Sequence, residues 1–214
     1  MDKLDLKKDF KHLYLPSAKA PQVVDVPALN FLMIDGIIEK GMEPGTSPLF
    51  EENMQALYGA AYTLKFMIKK HADNPVDYPV MPMEGLWWVE DGHFDITIKD
   101  NWFYTVMIMV PDLVTPDLFA EALAQMRKKK GDQPGFARLR LEPFREGLCV
   151  QMMHIGPYAS EPVTVKAMRA FMAENGYQDQ VEQGGKHHEI YLGDPRQAAP
   201  EKLKTILRHP VREG

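Results

Sequence analysis

One structural plan occurs twice along this chain, and that recurrence limits the folds open to it. The apolar segment VVDVPALNFLMIDG (23–36) ends on a glycine, and Ser47-Pro48 then supplies an N-cap and a proline at the first helical position. Beyond that start, Phe50, Met54, Leu57, Ala61, Leu64 and Ile68 recur at helical spacing and predict an amphipathic helix reaching about Lys70. Farther on, GLCVQMMHIGPY carries an apolar strand to Gly156, Ser160 is positioned to cap EPVTVKAMRAFMAENG, and Gly176 marks its stop.

Each half continues with strands. EGLWWVE, HFDITIK and WFYTVMIMV read as strands in the first half, followed by a helix that opens at Thr115-Pro116 and runs to about Lys130. In the second half RLRLEPF and HHEIYL read as strands, and a helix is expected from Pro200. An offset of 84 sets Pro111 on Pro195 and Pro116 on Pro200, and so aligns WFYTVMIMV with the segment containing HHEIYL. Helices on one face of an antiparallel sheet give an α+β fold. The expected architecture is two repeated β-α-β-β units related by a pseudo-twofold, with a groove between the halves. Residues 1–20 form a charged lead-in, the first unit spans about 21–131, GDQPG connects, and the second unit spans about 136–212.

Composition removes several classes of function. The chain of 214 residues is 45% hydrophobic with a net charge of −5, as expected of a globular domain without the concentrated basic patch of a nucleic-acid binder. The run Arg127-Lys128-Lys129-Lys130 reads as the solvated end of a helix, where cations suit the dipole. A single cysteine, Cys149 in the apolar run LCVQMM, excludes an intrachain disulfide and reads as an inert core residue. The charged N-terminal stretch lacks the apolar core of a signal peptide, and no segment has the apolar length of a membrane helix, so a cytoplasmic location is expected. Phosphate loops, nucleophile elbows and metal-ligand spacings are missing from the sequence, and neither metal nor cofactor is expected.

The residues with chemical potential gather on HHEIYL. Strand alternation gives His187, Glu189 and Tyr191 one face, and His188, Ile190 and Leu192 the other. If Ile190 and Leu192 pack inward, Glu189 looks either into water or into a pocket, where burial would raise its pKa and suit it to general acid–base work. The offset of 84 projects Phe103, Thr105 and Met107 from the first half into the same groove. Alternation also separates Trp87 from Trp88, sending one indole to the core and the other to the opposite face; Trp88 is assigned to the groove as a stacking surface, without a sequence signal that decides between them. Tyr58 and Tyr62, one helical turn apart, flank the same space or simply pack, and His154 stands at a strand end beside Gly156. The chain's fourteen methionines supply mostly core, with some adaptable walls.

Several segments together resemble one family. FLMIDG, ALYGAAYTLKF, DYPVMPMEGLWW, QMMHIGPYASEP and GKHHEIYLGDPRQAAPEKLKTILRHPV resemble the GyrI-like small-molecule-binding proteins, in particular the stand-alone branch, over roughly residues 20–212. The resemblance implies two β-α-β-β units around a pseudo-symmetric groove. It also implies a pocket glutamate with aromatic walls that holds flat hydrophobic compounds; by strand position that acid is Glu189. Some stand-alone members resembling this chain hydrolyse cyclopropane-bearing genotoxins. Taken with the strand alternation and the offset of 84, the expected roles are Glu189 and Tyr191 in catalysis, with Trp88, Tyr58, Phe103, Thr105, Met107, His187 and His154 around the ligand. The implied partner is a hydrophobic aromatic small molecule; the lead-in is too short for a DNA-binding module, and neither a membrane nor a protein partner such as gyrase is expected. Binding without turnover is the alternative reading.

Overall fold

The computed structural model describes residues 2–90, 93–99 and 102–214. A short strand β1 (Asp2–Lys3) and two helical turns, α1 (Leu6–Asp9) and α2 (Lys11–Tyr14), precede the first repeat. That unit comprises β2 (Gln22–Ile37), α3 (Pro48–Lys69), the two-residue β3 (Val76–Asp77) that pairs with β1, β4 (Met83–Trp88) and β5 (Phe103–Met109). Helices α4 (Pro116–Lys130) and α5 (Pro134–Arg138) lead to the second unit: β6 (Arg140–Ile155), α6 (Glu161–Glu174), β7 (Tyr177–Asp179), β8 (His187–Tyr191) and β9 (Lys204–Glu213).

The local signals explain the first long helix well. Ser47 Oγ accepts from the Phe50 N–H, Pro48 occupies the first turn, and Leu57, Ala60, Ala61, Leu64 and Ile68 form its buried stripe. Thr115 caps α4 in the same way. Ser160 does not act as a cap for α6: its hydroxyl is bonded instead to the Pro157 carbonyl and the His154 ring.

The large sheet is antiparallel in the order β6-β2-β5-β4-β8-β9-β7, and β6 also pairs with β9, so six strands close into a barrel-like ring. Closure leaves these strands without an open edge. Exchanging β2 with β6, β4 with β8 and β5 with β9 maps the ring onto itself, which is the pseudo-twofold of two β-α-β-β units. The correspondence differs from the offset of 84, which aligns β5 with β8. Helix α3 packs on β2 and β5, α6 packs on β6, and β4 and β8 run side by side between them.

Three sequence expectations change for one reason, the closed ring. Residues 93–99 form a turn-containing strap rather than a strand, because both edges of β4 are already taken by β5 and β8. RLRLEPF and GLCVQMMHI are one continuous β6. The helix expected from Pro200 is a single 3₁₀ turn, Pro200–Lys202, and the chain then enters β9, which fills the gap between β6 and β8. Pairing on both sides buries Thr205 through His209 and overrides the helical tendency of EKLKTIL.

Alternation divides the core. The outward face of the ring carries Ile34, Tyr104 and Val106 under α3, and Val150 and Leu207 under α6 with Val165, Met168 and Met172. The inward face carries Met33, Met107, Ile190 and Ile206, together with a fully buried polar network. His188 Nε2 lies 2.9 Å from Glu84 Oε2, and its Nδ1 lies 2.9 Å from Glu146 Oε2, which also meets Arg208 at 3.2 Å. Tyr14 donates to Glu84 Oε1 at 2.5 Å, while Arg208 donates to the Leu13 carbonyl at 2.9 Å and to Gln151. The N-terminal turns therefore seal this end of the ring through Leu13 and Tyr14, both buried. Burial opposes charge on His188, but the carboxyls of Glu146 and Glu84 outweigh it and lift its pKa to about 9.

Candidate active site in the groove between the two long helices

Cross-strand register gathers the site. Gly85 pairs with Glu189 and Trp87 with His187, so Gly85, Trp87, His187, Glu189 and Tyr191 share the outward face of β4 and β8. A Cβ on Gly85 would stand 2.7 Å from the Trp87 indole nitrogen; only glycine lets that ring lie flat along the strand. The indole N–H donates to Tyr191 Oη at 3.0 Å, and the Tyr191 hydroxyl in turn bonds the Glu189 carboxylate. The Glu189 residue is only 6% exposed.

On its other side Glu189 heads a hydrogen-bonded chain. His187 Nε2 lies 3.2 Å from Glu189 Oε1, His187 Nδ1 lies 2.7 Å from His209 Nε2, and His209 Nδ1 lies 2.9 Å from Asp179 Oδ2, which also accepts from Arg169. Making all three histidine contacts at once takes three N–H protons, one more than two neutral imidazoles carry. A cavity of about 210 Å³ opens beside His187 and His209, lined also by Phe94, Ile96, Val165 and Arg169.

The electrostatics sets the protonation states. Burial alone would push Glu189 up, but hydrogen bonds from His187 and Tyr191 and the Lys99 charge hold it below its ordinary value, so it is ionised. Burial pushes His187 down despite Glu189. Tyr191 is driven well above its usual range by burial and then by the Glu189 charge, and remains a donor. A second carboxyl behaves oppositely: burial, then the Glu189 charge, lift Glu161 to about 9, leaving it a neutral acid.

Aromatic rings wall the groove. Phe94 from the strap stacks on His187 at 5.5 Å and lies tilted against Trp102 at 4.8 Å, and Trp87 lies against Phe50, Trp102 and Tyr104. Tyr158 meets Tyr191 edge-on at 6.0 Å, and burial followed by the charges of Glu189 and Glu161 lifts it to about 12. Tyr58 lies near the same loop, since the Asp194 charge bears on both Tyr58 and Tyr158.

The sequence-predicted residues divide accordingly. Glu189, Tyr191 and His187 come together as one cluster, while Tyr58 stacks on Tyr62 and shares the Asp194 charge with Tyr158. His154 shares the outward face but is held by Thr164 at 2.8 Å and by Ser160, at the start of α6. Trp88, Phe103, Thr105 and Met107 point the other way. Leu86 pairs with both Thr105 and His188, which fixes these side chains on the inward face. Met107 is core, Thr105 bonds Asp35, and Trp88 stacks on Phe103 at 6.0 Å under the Lys186 ammonium. On the outward face the first half contributes Trp87 and Tyr104, both fully buried, because ring order makes β4, not β5, the counterpart of β8. Glu161, Tyr158 and Asp179 escaped the sequence reading. An acid at the first position of a helix looks like an ordinary dipole partner, and only the fold turns it inward.

Among the described residues no group of three or more His, Cys, Asp or Glu side chains is placed to hold a metal ion, and no helix is long and apolar enough to cross a membrane. Cys149 is buried, and burial raises its thiol pKa strongly.

Comparison with known proteins gives consistent results. A solved structure of an uncharacterized conserved protein from Listeria innocua is 43% identical, covers 98% of this chain and 100% of its own, and superposes with a TM-score of 0.88. Two further Listeria innocua structures, each described as a hydrolase, are similar at 41% identity (99% and 100% covered, TM-score 0.85) and 39% identity (98% and 100% covered, TM-score 0.83). The curated proteins contain no match to the chain. The profile of the GyrI-like small molecule binding domain matches residues 19–212, and the chain belongs to this family.

Proposed function

We propose that this protein binds flat, hydrophobic aromatic molecules in the groove between α3 and α6 and hydrolyses cyclopropanoid electrophiles there. The observation that carries the reading is an ionised, almost fully buried carboxylate, Glu189, held by His187 and Tyr191 among aromatic rings. Two similar structures described as hydrolases support turnover over binding alone.

In the proposed reaction Glu189 takes a proton from water. The water oxygen bonds to the methylene carbon of the strained ring, and the breaking carbon–carbon bond sends its electron pair into the conjugated carbonyl. The resulting phenolate takes a proton, so the net change is addition of one water. Tyr191 hydrogen-bonds the water or the developing oxyanion, and the half-buried Phe94, Tyr158 and Tyr58 hold the aromatic body. Ring strain supplies much of the driving force, and proton transfer adds about 10²–10⁴-fold.

The test is to incubate the protein with a cyclopropapyrroloindole and follow the ring-opened hydrate by chromatography and mass spectrometry. Catalytic hydrate formation, lost in Glu189→Gln, is expected. Stoichiometric protection without hydrate would instead identify a sequestering protein, and hydrolysis by Glu189→Gln at the wild-type rate would remove Glu189 from the chemistry.

A further inference from the structure

Opening a conjugated cyclopropane leaves a stabilised phenolate, and the mechanism above gives Glu161 no task. Yet Glu161 is placed for one. The residue is 2% exposed, and its Oε1 and the Thr205 Oγ1 are buried beside each other with no hydrogen bond to any third group among the described residues. A carboxyl and a hydroxyl that have only each other keep hydrogen-bonding capacity to spare, and can receive a polar atom from outside. Thr205 stands opposite Tyr191 in the β8–β9 register, and Tyr191 shares its face with Glu189. Glu161, Thr205, Tyr191 and Glu189 thus follow one another across the groove floor, with the Tyr158 ring against Tyr191.

We propose that the same groove hydrates aryl-substituted epoxides, with Glu189 as the base that activates water and Glu161 as the acid that protonates the ring oxygen. The proposal rests on the reading of Glu189 given above. An epoxide opens to an alkoxide, a much poorer leaving group than a conjugated phenolate, so its hydration at neutral pH benefits from a neutral acid beside the base. The groups that bear on Glu161 maintain that state: burial and the Glu189 charge favour its protonated form, and Lys99 and Thr205 oppose this less strongly. The half-buried rings of Phe94, Tyr158 and Tyr191 suit an aryl substituent.

The step balances without a co-reactant other than water. The water oxygen bonds to one ring carbon as that carbon's bond to the ring oxygen breaks. The electron pair stays on the ring oxygen, which takes the Glu161 proton, while Glu189 receives the water proton. A vicinal diol departs, and one proton returns from Glu189 to Glu161 through solvent; nothing is oxidised or reduced.

The experiment supplies the purified protein with styrene oxide and trans-stilbene oxide in ¹⁸O-labelled water, with a cyclopropapyrroloindole in parallel. The expected result is a diol carrying one labelled oxygen, at a rate that falls as pH rises through about 9. Glu161→Gln is expected to lose diol formation by about 10²-fold or more while its cyclopropanoid hydrolysis falls less than about tenfold, and Glu189→Gln to lose both. Thermal melting checks that each variant folds. Should Glu161→Gln not fold, Glu161→Asp keeps the acid on a shorter arm, and partial diol formation with the same pH profile is expected from it. Cyclopropanoid hydrolysis with no diol, or diol formation at the wild-type rate by Glu161→Gln, overturns the epoxide proposal and leaves the role of Glu189 standing. Consumption of neither substrate overturns both.

Discussion

Adjacent histidines on β8 stand in opposite electrostatic worlds. His188 points into the ring between Glu84 and Glu146, with Arg208 completing the set, and its pKa rises to about 9. His187 points outward to a carboxylate on one side and a second imidazole on the other, and burial wins, so its pKa falls. Both are buried, and both touch a glutamate. The difference lies in the count of opposing charges: two carboxyls around His188 offset its desolvation, while the single carboxylate on His187, with the His209 ring on its other side, does not. The inward network is closed, with its acids matched by cations. The outward cluster keeps an ionised base and a neutral acid, the acid with no polar side chain beyond Thr205 to satisfy it among the described residues, which is a poor arrangement for stability and a useful one for chemistry.

The comparison breaks most directly if the two faces are truncated separately. His188→Leu leaves Glu84 and Glu146 buried without their shared partner and is expected to lower unfolding free energy by about 3–5 kcal/mol in urea titrations. Glu189→Gln is expected to change stability by less than about 1 kcal/mol while lowering hydrolysis by about 10²–10⁴-fold. If the stability losses were reversed, the division of labour between the faces would be wrong.

Tyr14→Phe removes the hydrogen bond that ties the N-terminal turns to Glu84, an expected loss of about 1.5–3 kcal/mol in the same titration. The pH dependence sharpens the point. The folded pKa of His188, about 9, lies above the ordinary imidazole value of about 6.5, so the stability it contributes is complete below that ordinary value and is lost as pH rises through about 9. Melting curves between pH 6 and 10, at round values chosen about these limits, should show wild type losing stability across the window and His188→Leu losing less.

Glu161 predicts a gain. Its folded pKa is also raised, so the native state holds a proton that the unfolded chain releases near the ordinary carboxyl value, and stability falls as pH climbs from there toward about 9. Glu161→Gln removes that dependence and is expected to stabilise the protein by roughly 1–2 kcal/mol at pH near 8. A variant less stable than wild type at that pH would contradict a protonated, strained Glu161.

The smallest expected effects concern the tryptophan pair. Trp87→Phe keeps a ring but loses the donor to Tyr191, and a rise of about tenfold or less in the KM for an aromatic substrate is expected, since a neutral hydrogen bond contributes about 0.5–1.5 kcal/mol. Trp88→Phe, on the inward face, should leave KM within about twofold. Quenching of fluorescence on ligand binding should persist in Trp88→Phe and weaken in Trp87→Phe.

Local chemistry was legible in the sequence. Ser47-Pro48 and the stripe from Phe50 to Ile68 specify α3, Thr115-Pro116 specifies α4, and the alternation of HHEIYL puts His187, Glu189 and Tyr191 on one face whatever surrounds them. Such features depend on neighbours within a few residues, so the sequence contains the whole cause. Which face of β8 meets the groove, whether Trp87 or Trp88 joins it, and that Glu161 comes to lie beside Glu189 were decided only by tertiary structure. Closure of the ring pairs β8 with β4 rather than β5, and a one-strand change of partner exchanges the entire set of facing side chains. The protonation states followed from the same event, because a carboxyl has its ordinary acidity until the fold withdraws water and sets other charges beside it.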